Sequence, residues 1–146
     1  MKTVAEILKS KRDRKVYTIT AEASVLEAIR LMAEAGIGAL VVMDGEQVAG
    51  MVTERDYSRK IILKDRSSSS TAVRDIMTGK VIYVQPGDSN EGCMALMTEK
   101  RVRHLPVMDD GKLVGLVSIG DLVKDIIDEQ EFIIDQLERY IAGVRG

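Results

Sequence analysis

With 146 residues, 45% of them hydrophobic and 30% charged, the chain has the composition of an ordinary globular protein and not of a disordered one. A net charge of −2 supplies no global attraction to nucleic acid or anionic lipid, and a single cysteine, Cys93, excludes an internal disulfide and a thiolate cluster for metal. The longest apolar-and-glycine run, Gly36 to Met43, falls far short of the ~20 residues that span a bilayer, and no secretory signal pattern opens the sequence, so the expected location is the cytoplasm.

Val4, Ile7 and Leu8 lie at helical spacing within Lys2 to Ser10 and predict a short amphipathic lead-in. Lys9 to Lys15 follows with five basic residues in seven, a run of the kind that forms a solvated linker. Val16 to Thr20 is rich in β-formers, and Ser24 is a good N-cap for a helix over Val25 to Ala35. Val25, Ala28, Ile29 and Met32 share one face of it, which is core. Gly36 and Gly38 end that helix, Ala39 to Met43 forms a buried strand, and Asp44-Gly45 turns the chain into a partner strand over Val48 to Thr53. A further helix starts at Glu54 and runs to about Leu63.

Lys64 to Thr71 contains four consecutive serines, Ser67 to Ser70, and reads as a polar linker at a boundary. Beyond it Ala72 to Thr78 echoes Thr3 to Lys9, and the whole pattern returns 65 residues further on. Gly50-Met51-Val52-Thr53-Glu54-Arg55-Asp56 reappears as Gly115-Leu116-Val117-Ser118-Ile119-Gly120-Asp121. Val81 to Val84 answers the first strand, Ser89 answers Ser24, Cys93 answers Ala28 as a core thiol, and Leu105 to Met108 answers Leu40 to Met43. No gap is needed between 16–62 and 81–127, so the chain is a duplication. Repeats of about 60 residues bury too little surface to be comfortable alone, which predicts two halves sharing one core.

The two endings carry the candidate chemistry. Thr53 with Asp56, and Ser118 with Asp121, fit a capping box, in which a hydroxyl caps a helix and the acid three places on reaches back. A helix start also offers unpaired N–H groups and a positive dipole end to a phosphate, and a carboxylate offers two acceptor oxygens to the vicinal hydroxyls of a ribose.

The duplicated unit resembles a CBS-domain pair, or Bateman module. The likeness rests on the lead-ins Val4-Ala5-Glu6-Ile7-Leu8 and Val73-Arg74-Asp75-Ile76-Met77, the segment Arg103-His104-Leu105-Pro106-Val107 and the two Gly-to-Asp endings, and it extends from residue 1 to about 128. It implies an α+β fold of two β-α-β-β-α repeats packed sheet to sheet about a pseudo-twofold axis, with crevices that take adenosine-containing ligands. The expected division is a first repeat at 1–63, a linker at 64–71, a second repeat at 72–128 and a C-terminal helix at 129–146. By this resemblance Asp56 and Asp121 hold ribose hydroxyls while Thr53 and Ser118 meet phosphate.

Around the first site the expected lining is Val16, Tyr17, Thr18, Ile19, Gly38 and Ala39, with Arg55 beside Thr53 and Asp56. Around the second it is Val81, Ile82, Tyr83, Val84, Arg103, His104, Leu105 and Pro106, with Ser118 and Asp121; by the resemblance a basic residue or histidine at 103 or 104 reaches the phosphate of a ligand held mainly by the other repeat. Arg55 and Arg59 follow Thr53, whereas Ile119, Gly120 and Lys124 follow Ser118, so the first site is better equipped for an anionic tail. AMP is the foremost ligand, with ADP, ATP, NAD and S-adenosylmethionine also compatible.

No dinucleotide or phosphate-loop glycine motif is present, and one histidine with scattered acids assembles neither a triad nor a metal site. The reading is therefore a non-catalytic sensor that signals to an unknown downstream protein. Asp128 to Gly143 carries Ile133, Leu137, Tyr140 and Ile141 on one helical stripe with Phe132 beside it, a surface that predicts a homodimer. The competing readings are an interaction module without ligand, and a nucleic-acid binder using Lys9 to Lys15 and Arg101 to Arg103.

Overall fold

Repetition in sequence becomes repetition of local structure in a computed structural model that describes residues 2–12 and 15–145, with the side chains of 144 and 145 excepted. In chain order the helices are α1 (Val4–Ser10), α2 (Val25–Ala35), α3 (Glu54–Tyr57), α4 (Asn90–Lys100) and α5 (Ile119–Arg145). The strands are β1 (Thr18–Thr20), β2 (Ala39–Asp44), β3 (Gln47–Thr53), β4 (His104–Asp109) and β5 (Lys112–Ser118). Two small sheets result, one ordered β1-β2-β3 and one formed by β4 and β5, giving an α+β fold built on two repeats.

Two compact units form, and they do not follow the repeat boundaries. One comprises Lys15–Tyr83 with Met108–Gly115; the other comprises Met1–Arg14, Val84–Val107 and Leu116–Gly146. Each repeat's core therefore sits with the lead-in that precedes the other repeat. The bonding is the same in both cases: Val73 N–H donates to Ala23 and Arg74 N–H to Ala21, just as Val4 N–H donates to Asp88 and Ala5 N–H to Pro86. The two lead-ins differ in length for a local reason. Thr3 caps α1 in a capping box with Glu6, whereas Ala72 has no side-chain acceptor and its lead-in makes only a 3-10 turn, Val73–Asp75.

In the unit holding the first repeat, β1 runs parallel to β2, with Thr18 opposite Val41, and β3 runs antiparallel to β2, with Ala39 opposite Thr53. The Ser24 hydroxyl caps α2, and Gly36 ends it in the left-handed region at φ 68°. Of the apolar face predicted for α2, Val25, Ala28 and Met32 are buried with Leu40, Val42, Val52, Ile61, Val73 and Ile76 in one cluster, and Ile29 packs against it half-buried. The serine-rich segment is more than a linker: its carbonyls at Ser68 and Thr71 accept from Leu26 and Val25 N–H and so take up the first donors of α2.

Three expectations are corrected. The strand expected at Val16 to Thr20 begins only at Thr18. Its counterpart over Val81 to Val84 shrinks to a single parallel bridge, Val84 to Val107. Val84 N–H donates to Pro106 O at 3.0 Å, but Pro106 has no N–H with which to extend the ladder; its counterpart Val41 does, and donates to Tyr17 O. Finally, the helix predicted from Glu54 to about Leu63 is α-helical only to Tyr57 and passes into a π-turn over Ser58–Ile62, closed by Leu63 N–H on Ser58 O. Helix α5 runs without a break from the second repeat through the C-terminal segment, one helix of 27 residues.

Candidate functional site

Each ending places a hydroxyl residue at the close of a strand and its aspartate in the following helical turn. In the first repeat Thr53 Oγ1 accepts from Asp56 N–H at 3.2 Å, while Asp56 Oδ2 accepts from Thr53 N–H at 3.0 Å and from its hydroxyl at 3.2 Å. In the second, Ser118 Oγ accepts from Asp121 N–H at 3.2 Å and Asp121 Oδ2 accepts from Ser118 N–H at 2.8 Å. Both capping boxes are formed, and capping by itself accounts for these four residue types.

The neighbouring backbone is duplicated too. Glu54 N–H donates to Gly38 O at 3.0 Å and Ile119 N–H to Arg103 O at 2.9 Å, so the start of one strand is tied to the helix that ends the next. Gly38, Ala39, Thr53 and Asp56 are thereby brought to one end of the sheet, beside β1 with Thr18 and Ile19. Val16, Tyr17 and Ile19 are half-buried, Ala39 is buried, and Arg55 and Arg59 are exposed. In the second repeat Leu105, Pro106 and Val84 are buried, His104 and Ser118 half-buried, and Arg103 exposed. Val81, Ile82 and Tyr83 belong with the first repeat's unit, and Tyr83 is exposed. A polar hollow of about 470 Å³ lined by Arg66, Ser67, Ser70, Thr71 and Asp75 includes none of the predicted site residues.

Two lysines outside the predicted set complete the electrostatics. Lys60 Nζ lies 3.3 Å from Asp56 Oδ1 and donates to Ile76 O at 2.7 Å. Lys11 Nζ lies 2.9 Å from Asp121 Oδ2 and donates to Leu116 O at 2.8 Å. Lys60 stands four residues after Asp56, a spacing that sequence alone exposes; Lys11 comes from the basic run read as a solvated linker, and nothing local ties it to position 121. The aspartates remain enclosed, their side chains 12% and 20% exposed.

Behind Asp121 lies a buried polar pair. Asn90 Nδ2 donates to Asp125 Oδ2 at 2.7 Å and to Leu122 O at 2.9 Å, and Lys2 Nζ is 3.9 Å from Asp125 Oδ1. Asn90 Oδ1 and Asp125 Oδ1 are buried without a hydrogen bond, so this pair contributes less to stability than a fully satisfied one. Cys93 is buried; burial, with the charge of Asp88 added, pushes its thiol up. Among the described residues no three of His, Cys, Asp or Glu are grouped to hold a metal, and no helix is long and apolar enough to cross a membrane.

The chain belongs to the CBS domain family, whose model matches residues 4–63 and 73–128. It is 43% identical over 149 residues to the CBS domain-containing protein CBSX3 of Arabidopsis thaliana, by name mitochondrial, spanning 97% of this chain and 72% of the relative. A 33.4 kDa protein of the Thermofilum pendens ribosomal RNA operon is 38% identical, and the chain spans only 40% of its length. Among solved structures it resembles a putative signal-transduction protein with CBS domains from Burkholderia ambifaria, at 62% identity and a TM-score of 0.85, over 88% of this chain and 96% of that one. The CBS domain pair of MJ0100, in complex with 5′-methylthioadenosine and S-adenosyl-L-methionine, superposes with a TM-score of 0.78 over 88% of this chain and 98% of that one; at 21% identity the likeness speaks for the fold alone.

Proposed function

We propose that the chain is a non-catalytic regulatory module that binds an adenosine-containing nucleotide, AMP foremost, at the helix start that closes each repeat. The observation that carries this reading is the duplicated, enclosed carboxylate. The cap orients Asp56 and Asp121, yet a carboxylate has four lone-pair directions. The cap bonds engage Oδ2 of both aspartates, Lys11 stands beside Oδ2 of Asp121, and Lys60 stands beside Oδ1 of Asp56. Acceptor capacity for a vicinal diol therefore remains beside N–H groups and ammonium charges suited to phosphate. In this reading Val16 to Ile19 with Gly38 and Ala39, and Val84 with His104, Leu105 and Pro106, are the walls against which adenine lies.

Arg55 and Arg59 make the Asp56 site the tighter one for a phosphate-bearing ligand. Family membership supports a ligand-responsive role, and the same fold holds two adenosine compounds in MJ0100. The module acts in the cytoplasm as a homodimer and passes the bound state to a further protein. It can do so only through a difference in ligand affinity between two conformations. A thermal-shift panel of AMP, ADP, ATP, NAD and S-adenosylmethionine tests the reading. A ligand present at a hundred times its dissociation constant adds about 2.7 kcal/mol; a flat panel refutes nucleotide binding and leaves an interaction module.

A further inference from the structure

Asp56 is engaged on both oxygens, by groups that hold it differently. Oδ2 accepts from Thr53 N–H at 3.0 Å and from the Thr53 hydroxyl at 3.2 Å, while Oδ1 faces Lys60 Nζ at 3.3 Å. A carboxylate oxygen has two lone-pair directions, so the cap fills Oδ2 and Lys60 takes one of the two on Oδ1. A vicinal diol brings two O–H donors, and a single direction remains for them. One resident donor must give way when both hydroxyls bind.

The distances identify which. The Thr53 hydroxyl belongs to a cap that also accepts from Asp56 N–H at 3.2 Å, and losing such a cap costs about 1 kcal/mol. Lys60 stands 3.3 Å from Oδ1, beyond the ~2.7–2.9 Å of a strong ammonium–carboxylate bond, and its firmer contact is with Ile76 O at 2.7 Å. Its side chain is 44% exposed, so the ammonium can leave Asp56 and keep Ile76 O and water as partners. The stretch that carries it, Ser58–Ile62, is a π-turn, whereas α5 is regular at the equivalent positions; such turns are frequent at functional sites. The second repeat is arranged differently. Asp125 stands where Lys60 does, and Lys11 approaches Oδ2 of Asp121, the oxygen that the cap already uses.

We propose that Lys60 is a specificity-determining residue of the first site, holding the acceptor direction that the second hydroxyl of a ribose must take. Uncharged adenosine has to break this ion pair with nothing in return, whereas AMP brings a phosphate to Arg55 and Arg59. The first site is thereby set against unphosphorylated ribonucleosides. The proposal rests on the nucleotide reading above and adds a competitor inside the site.

Calorimetric titration in an Asp121→Ala parent chain, where only the first site is read, tests it. Lys60→Met is expected to raise adenosine affinity about fivefold or more, the worth of one net hydrogen bond. Affinity for 2′-deoxyadenosine is expected to rise less, because its one remaining hydroxyl of the pair fits the direction already open. The preference for AMP over adenosine is expected to narrow. Equal gains for the two nucleosides, or no gain, overturn the role of Lys60 while AMP binding by the parent chain keeps the nucleotide reading. Should Lys60→Met unfold, NMR of the Lys60 ammonium in the parent chain reads the same event: adenosine is expected to shift it further than 2′-deoxyadenosine, and equal shifts overturn the proposal. A parent chain that binds none of these compounds, AMP included, overturns both readings.

Discussion

Lys60 and Asp125 occupy the same position in the two repeats, and the exchange of charge between them reorganises the second site. Lys60 pairs with Asp56 one turn before it. At Asp125 a second carboxylate stands one turn after Asp121, where like charges repel. The ammonium beside Asp121 comes instead from Lys11, 110 residues earlier in the chain, while Asp125 is drawn inward to Asn90. One site is thus neutralised from its own helix and the other from a lead-in.

The first prediction concerns occupancy. In calorimetric titrations with AMP, Asp56→Ala is expected to abolish the tighter site and Asp121→Ala the weaker one. Equal losses from both would contradict the role given to Arg55 and Arg59. Either substitution also removes half a capping box and is expected to cost about 1 kcal/mol in denaturant unfolding without ligand.

Lys11→Ala separates charge from shape at the second site. Removing the ammonium leaves Asp121 uncompensated, so AMP affinity there is expected to fall several-fold while uncharged adenosine is little affected. Parallel titrations with the two compounds check this; an equal loss for both would mean that Lys11 acts only by holding the backbone at Leu116.

Gly50 is constrained by a close backbone approach. A Cβ there would meet Thr78 O at 2.6 Å and Met77 Sδ at 3.0 Å, at the bridge between Met51 and Thr78. Gly50→Ala is expected to destabilise by about 1–3 kcal/mol. Gly87→Ala, where nothing lies within 4 Å, is expected to stay within about 0.5 kcal/mol of wild type. Urea denaturation of both variants decides it.

The crossed lead-ins predict how the chain behaves when cut. Fragments 1–71 and 72–146 each separate a repeat core from the lead-in that packs on it, so neither is expected to show a cooperative unfolding transition. An equimolar mixture is expected to regain one by circular dichroism. A fragment that folds alone would show that its missing lead-in is dispensable.

Cys93 supplies a probe of unfolding. Its thiol titrates above the ordinary range because burial penalises the thiolate, and only the thiolate reacts. Ellman's reagent at neutral pH is therefore expected to label native protein at the rate of unfolding and denatured protein at once. Fast labelling of the native state would place the sulfur at the surface.

The repeat, the helices α2 and α4, the turn at Gly45, and the acids at 56 and 121 are legible in the residues, because each depends on local chemistry: caps, periodicity and backbone freedom. The capping boxes were legible for the same reason, both partners lying within four residues. The shortened strand at Val84 was written in Pro106, but its effect appears only once Val84 is known to bond that residue.

Sequence by itself determined the duplication, the family, the core faces of α2 and α4, and the position of each candidate carboxylate, since these follow from side-chain pattern and short-range geometry. Tertiary structure alone decided which lead-in serves which core, which lysine neutralises which aspartate, and that Asp125 turns inward to Asn90. Those outcomes depend on pairings across tens of residues, where the loop entropy spent in bringing two groups together carries no trace in the local pattern.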